Sequence, residues 1–174
     1  MRGTLSPADG GRLVLRFERR LAHPPEQVWR ALTSMRGLQA WFPVEVLEFD
    51  ATPGARLRFD LTAEAKRRMD IPADADTASE GTITAADPPK LLEYAWAGEV
   101  LRWELTPDGA GCVLVFTDEF DAQGEAAEIR AGWSLDMATG WHVSLDVLDA
   151  HLSDEVPDWS VWDRAEELKG FYPG

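Results

Sequence analysis

From Arg12 to Leu21 the apolar residues Leu13, Leu15, Phe17 and Leu21 alternate with Arg16, Glu18 and Arg20. A period of two over ten residues predicts a strand with one buried face. The same alternation returns from Arg56 to Thr62, where Leu57, Phe59 and Leu61 oppose Arg58 and Asp60. Strands are also expected over Val44–Asp50 and Glu80–Ala86. Lys90–Ala97 sets Leu92, Tyr94 and Trp96 on one face, and Glu99–Thr106 does the same for Leu101, Trp103 and Leu105. After the turn signal Pro107-Asp108-Gly109-Ala110-Gly111, residues Cys112, Leu114, Phe116 and Asp118 share a face against Val113, Val115, Thr117 and Glu119. The period then changes. Between Arg130 and Leu152, residues Trp133, Met137, Trp141, Leu145, Leu148 and Leu152 recur at steps of three and four. That spacing predicts a long helix with one apolar stripe, with Asp136, Asp146 and Asp149 outside it and His142 pointing to solvent.

Shorter signals complete the outline. His23-Pro24-Pro25-Glu26 breaks the first strand and starts a helix that buries Val28, Trp29 and Leu32. Ser34 is placed to cap a second short helix through Trp41, which Pro43 ends. Residues 1–11 read as a loose polar tail and 121–127 as a polar connector into the long helix. Residues 63–79 read as a mobile connection with a helical turn around Glu64–Met69, and Lys66, Arg67 and Arg68 as its solvated basic cluster. After Leu152 an acidic break leads to a tail with Trp159, Trp162, Leu168, Phe171 and Tyr172, expected to form a short helix that packs on the body. The order strand, two helices, a run of strands and one long helix predicts an α+β fold. Its helices are segregated to one side of a curved antiparallel sheet of six to seven strands. Gly54, Gly81 and Gly111 sit where the sheet bends most cheaply. No repeat or second core divides the chain, so one domain is expected.

Composition narrows the function. A formal net charge of −14 argues against nucleic acid and anionic membrane surfaces, because phosphates are repelled. No run approaches a membrane span and no signal peptide is visible, so a cytoplasmic protein is expected. The single cysteine, Cys112, has no internal disulfide partner and reads as a core thiol. Eight Trp spread along the chain lean toward an aromatic-lined interior.

The ordered set HPPEQVWRALTS, WFP, TPG, RLRF, LLEYAW, VLRWEL, PDGAG, CVLVF and ATGWHVSLDVL resembles the SRPBCC superfamily, the START-like helix-grip proteins. The branch it is most similar to is the activator of heat shock protein 90 ATPase homologues, in a stand-alone form. The resemblance covers residues 12–152 as the domain, with 153–174 as a tail on the same domain. It implies a curved sheet gripping the C-terminal helix around a deep apolar cavity, and binding of small or lipid-type molecules in many members. It also implies that co-chaperone activity relies on a further N-terminal domain. Where many relatives carry a His or Thr near the end of the last strand, this chain has Asp118-Glu119, so no substrate is carried over.

The chemistry that survives is a pocket. No G-x-S-x-G, H-E-x-x-H or Gly-rich phosphate loop occurs, and His142 and His151 are nine apart, so no nucleophile, metal or cofactor is indicated. Asp70, Asp74 and Asp76 lack the spacing of a calcium loop. The candidate ligand-binding residues are Phe59, Tyr94, Trp96, Trp103, Phe116 and Asp118 from the sheet and Trp133, Met137 and Trp141 from the helix. Asp118 and Tyr94 are the polar contacts, and Arg102 is expected on the convex side. The alternative is that these bulky groups fill one another's space. Three functions stay open: a non-catalytic binder of a hydrophobic or aromatic small molecule, a chaperone-activator-like interaction module, or a small hydrolase or cyclase with Asp118 as general base. A homodimer is also compatible.

Overall fold

The computed structural model describes residues 2–121 and 127–172, with side chains described at all of these except 127–131, 133 and 134. The elements in chain order are β1 (Thr4–Pro7), β2 (Arg12–Leu21), α1 (Pro25–Thr33), α2 (Met35–Trp41), β3 (Glu45–Glu48), β4 (Arg56–Asp60) and α3 (Ala63–Arg68). They continue as β5 (Ser79–Asp87), β6 (Leu91–Trp96), β7 (Glu99–Asp108), β8 (Gly111–Asp121), α4 (Ala127–Leu152) and α5 (Val161–Lys169). The expected connector at 121–127 lies largely outside the described residues. The strands form one antiparallel sheet in the order β1-β2-β8-β7-β6-β5-β4-β3. The sheet therefore has eight strands, not six to seven. The extra one is β1, which pairs with β2 although the stretch reads as a polar tail. All four of its residues are exposed, so no apolar alternation marks it.

Local chemistry explains the helix positions. Pro25 opens α1, where its missing N–H costs nothing, and Glu26 lies in the first turn. Ser34 ends α1 and caps α2 by accepting a hydrogen bond from the Gly37 N–H at 3.1 Å. The sheet needs close backbone approach at two glycines. A Cβ at Gly111 would lie 2.1 Å from the Leu21 carbonyl oxygen, and one at Gly81 would lie 2.3 Å from that of Ala95. Both positions hold strands in register beside a side chain that is not there, which is a packing requirement more than a bend.

The long helix is buried on more of its circumference than a single stripe requires. Trp141, His142, Val143, Ser144 and Leu145 are five consecutive buried residues. The sheet packs on one side, α1 and α2 on another, and α5 on a third. His142 is thus in the interior and not at the surface. Its ring meets Phe17 edge-on at 6.0 Å, and Nδ1 lies 2.8 Å from the Tyr172 hydroxyl, which accepts from the Gly3 N–H at 3.1 Å. Burial, helped by the Arg19 and Arg164 guanidiniums, depresses its pKa to about 4. Asp146 stands 3.8 Å from Nε2, but the imidazole is neutral at physiological pH and the contact is not an ion pair. The carboxylate on that side favours the Nε2–H tautomer and leaves Nδ1 to accept from the phenol. These contacts tie both chain ends onto α4, so the N-terminal stretch is not loose there.

The connection between β4 and β5 departs from expectation in the same direction. The helical turn is present as α3, capped by Thr62, whose hydroxyl accepts from the Ala65 N–H at 3.1 Å. Lys66 is buried, not solvated. Its ammonium donates to Asp60 Oδ2 at 3.1 Å and to the Ala75 carbonyl at 3.0 Å. Thr77 donates its hydroxyl to Asp60 Oδ1, and the Leu61 N–H donates to the same oxygen at 2.7 Å. Arg67 and Arg68 remain exposed, both on Glu64.

Candidate functional site

The inward parity of β6, β7 and β8 stacks aromatic side chains under α4. Trp103 and Phe116 are register partners on β7 and β8, and their rings stack with centroids 4.0 Å apart. Trp141 lies on them from α4, 4.4 Å from Phe116 and 5.7 Å from Trp103. Phe59 meets Trp96 at 5.1 Å and Tyr94 at 6.3 Å. The expected sheet residues and Trp141 are therefore brought together. Met137 is half-buried and packs against the same core. Trp133 lies outside the described side chains. Arg102 points to the other side of the sheet, bound to Glu93 at 2.9 Å and Glu104 at 3.1 Å.

Trp41 and Phe42 bridge the two groups, and Phe49 adds to the second. Phe42 touches Phe59 at 5.0 Å and Trp141 at 5.8 Å, Trp41 meets Trp103 at 5.5 Å, and Phe49 lies 5.9 Å from Tyr94. The available signal was Trp41-Phe42 before Pro43 at a helix end, two large apolar groups where a chain leaves a helix toward the core. The rings of Trp103, Phe116 and Trp141 pack against one another's flanks.

Every described indole N–H in this group is satisfied. Trp41 donates to the Ala31 carbonyl at 2.9 Å, Trp96 to Ser79 Oγ at 2.7 Å and Trp103 to the Tyr94 hydroxyl at 3.3 Å. Trp141 donates to Asp118 Oδ2 at 2.9 Å. Asp118 itself is not fully satisfied. Its side chain has no solvent exposure, its register neighbours are Leu15 and Leu101, and among the described residues Oδ1 has no hydrogen-bond partner. A carboxylate between two leucines and under an indole is costly to ionise. Burial pushes its pKa far above the carboxylate range, and the charge of Glu99 adds to this, while Trp141 and Arg12 oppose it.

Glu99 is a candidate that the residue pattern alone does not single out. It has the parity of Leu101, Trp103 and Leu105 and so points inward, two residues from Leu101, the register partner of Asp118. The β6–β7 turn holds it there. Ala97 and Gly98 both have positive φ, 52° and 85°, the form of a two-residue hairpin whose flanking residues Trp96 and Glu99 pair. Ala97 accepts a left-handed conformation at a cost of about 1 kcal/mol, which fixes both flanking side chains on the inner face. Burial also raises the Glu99 pKa. Glu99, Trp96, Met137 and Leu13 are all half-buried. Burial likewise raises the Tyr94 phenol, which stays neutral.

A concavity of about 350 Å³ lies between α2, α4 and α5, lined by Trp41, Phe42, Val143, Val147 and Trp162. None of its lining side chains is charged, and its hydroxyls, Thr62 and Ser144, are engaged with the Ala65 N–H and the Gly140 carbonyl. No described helix is long and apolar enough to cross a membrane.

Comparison with known proteins places this architecture. Residues 22–153 match the family described as "Activator of Hsp90 ATPase homolog 1-like protein". A search of curated proteins found no match. Among solved structures, a Bordetella parapertussis protein is 26% identical with a TM-score of 0.67, over 97% of this chain and 88% of that one. A Rhodobacter sphaeroides protein is 25% identical at a TM-score of 0.64, over 87% of this chain and 98% of that one. A conserved protein of unknown function from Enterococcus faecalis is 19% identical at a TM-score of 0.64, over 98% and 92%, and that likeness shows the fold alone.

Proposed function

The chain belongs to the Activator of Hsp90 ATPase homolog 1-like family, and from that premise we propose that it binds a hydrophobic or aromatic small molecule between the sheet and α4, without catalysis. The observation that carries this reading is Asp118. A fully buried carboxyl with one oxygen unpartnered among the described residues, walled by aromatic rings, is the polar group an apolar pocket uses to orient a guest. A packing role alone would favour an apolar side chain there, because an unsatisfied buried polar atom costs about 1–3 kcal/mol. Entry of a guest at the half-buried Trp96, Glu99 and Met137 is part of this reading. Trp103 and Trp141 give the reading a direct test. Titration with fatty acids, sterols and polyphenols is expected to quench and blue-shift tryptophan fluorescence for at least one class, and Trp141→Phe to weaken that change. A flat response across the whole panel would remove the reading.

Family membership supports a second reading, a protein-interaction module of the chaperone-activator type. Its expected result is recovery of a heat-shock ATPase in a pull-down, with a change in ATPase rate. Neither effect appearing would leave the small-molecule reading alone.

A further inference from the structure

We propose that the guest carries a cationic head, a protonated amine or amidine on an aromatic or aliphatic body, seated against Asp118 and Glu99. The inference rests on the small-molecule reading above and names the ligand class it leaves open.

Three observations converge on positive charge. The first is the buried acceptor. Asp118 Oδ2 is occupied by the Trp141 indole N–H at 2.9 Å, while Oδ1 is unpartnered among the described residues with no exposure to water. The second is the neighbouring carboxyl. Glu99 shares the inner face and is half-buried, so a group at Oδ1 meets a second acid at the mouth. Arg12, the basic group that acts on Asp118, is held on the rim by Glu119 Oε1 at 2.7 Å and by the Glu119 carbonyl at 2.8 Å. It does not supply the missing donor. The third is the wall. Tyr94, Trp103, Phe116 and Trp141 are buried on the same inner side, and among the described residues they give Oδ1 no hydrogen bond. An acid among aromatic rings with a free acceptor is a receptor for an ammonium-type group.

The raised pKa values of both carboxyls agree with this, because an empty site holds a proton that an arriving cation replaces. The groups that act on Asp118 are Glu99 from β7, Trp141 from α4 and Arg12 from β2; Tyr94 from β6 lies within reach of its charge but stays neutral.

Matched probes test it. Isothermal calorimetry with naphthylmethylamine and its neutral counterpart naphthylmethanol measures what the charge contributes. The amine is expected to bind at least about tenfold more tightly, a difference of about 1.4 kcal/mol. Asp118→Asn keeps an acceptor for Trp141 and is expected to abolish the preference. Glu99→Gln, at a half-exposed position with little folding cost, is expected to reduce it. Equal or tighter binding of the alcohol, or no amine binding at all, overturns the inference. The neutral panel of sterols and polyphenols then judges the small-molecule reading separately. If the amine shows no preference while that panel binds, an apolar binder of uncharged guests remains; if neither the amine nor any member of the panel binds, both readings fall.

Discussion

Asp60→Ala is expected to destabilise the fold by about 2–3 kcal/mol and to open the 61–78 connection to proteolysis. Asp60 is the hub of that connection. It accepts from Lys66, Thr77 and the Leu61 N–H, and Lys66 in turn reaches the Ala75 carbonyl. Removing the carboxylate leaves an ammonium whose side chain is only 9% exposed without its charge partner. Breaking a fully interior pair costs about 3–5 kcal/mol. The lower value applies here because Asp60 lies shallow, with 16% of its side chain exposed. Urea denaturation measures the loss, and limited proteolysis locates it. The double variant Asp60→Ala with Lys66→Met should recover much of the stability, since both halves of the pair are then gone. A single variant as stable as the parent would show that the pair contributes nothing. The hydrogen bonds from Thr77 and Lys66 also hold the Asp60 pKa below its ordinary value. Its contribution is therefore present above the unfolded-state carboxylate range and is lost as pH falls through the folded value.

The contrast between this connection and the sheet shows what the amino-acid pattern carried. Strands β2 and β4 to β8 were legible because each has one face in the core, so burial imprints a period of two on the residues. The edge strand β1 has no buried residue, and pairing by backbone alone leaves no such imprint. The stripe on α4 identified the helix but not its surroundings. When sheet, α2 and α5 enclose a helix, the polar His142 and Ser144 are buried between apolar neighbours and periodicity ceases to report exposure. Lys66 escaped for a related reason. A lysine in a charged run reads as solvated unless its partner, six residues earlier and at the end of a strand, is recognised. At the site, the aromatic set and Asp118 followed from parity. Glu99 obeyed the same parity and was passed over because a charged residue at a strand start usually faces water. For Trp41 and Phe42 the helix end before Pro43 signals two rings turning inward, but their meeting with Trp103 and Phe59 depends on how α2 crosses the sheet, which that signal does not place.

Asp118→Asn is expected to change how stability depends on pH, and the sign follows from the direction of the shift. Burial raises the folded pKa of Asp118 above its unfolded value, with Glu99 raised beside it. Between the ordinary carboxylate range and the raised values the native state holds more protons than the unfolded chain. Stability therefore falls as pH rises through that window. Each proton of difference steepens the fall by up to about 1.4 kcal/mol per pH unit. Allowing for relaxation and for the water that reaches Glu99, the wild-type protein should lose about 2–3 kcal/mol between about pH 5 and pH 8. The variant should lose less than half as much, the remainder belonging to Glu99. At acid pH the two proteins should be close, because a neutral acid and an amide of the same shape both accept from Trp141. Above neutrality the variant should be the more stable one. Urea midpoints across a pH series measure both curves, and parallel curves would mean that Asp118 ionises as readily folded as unfolded. Asp60 acts at the opposite end of the scale, losing its contribution as pH falls, so the wild-type maximum should sit on the mildly acidic side. A saturating ammonium ligand should flatten the alkaline limb, because it stabilises the ionised carboxylate that the empty interior disfavours.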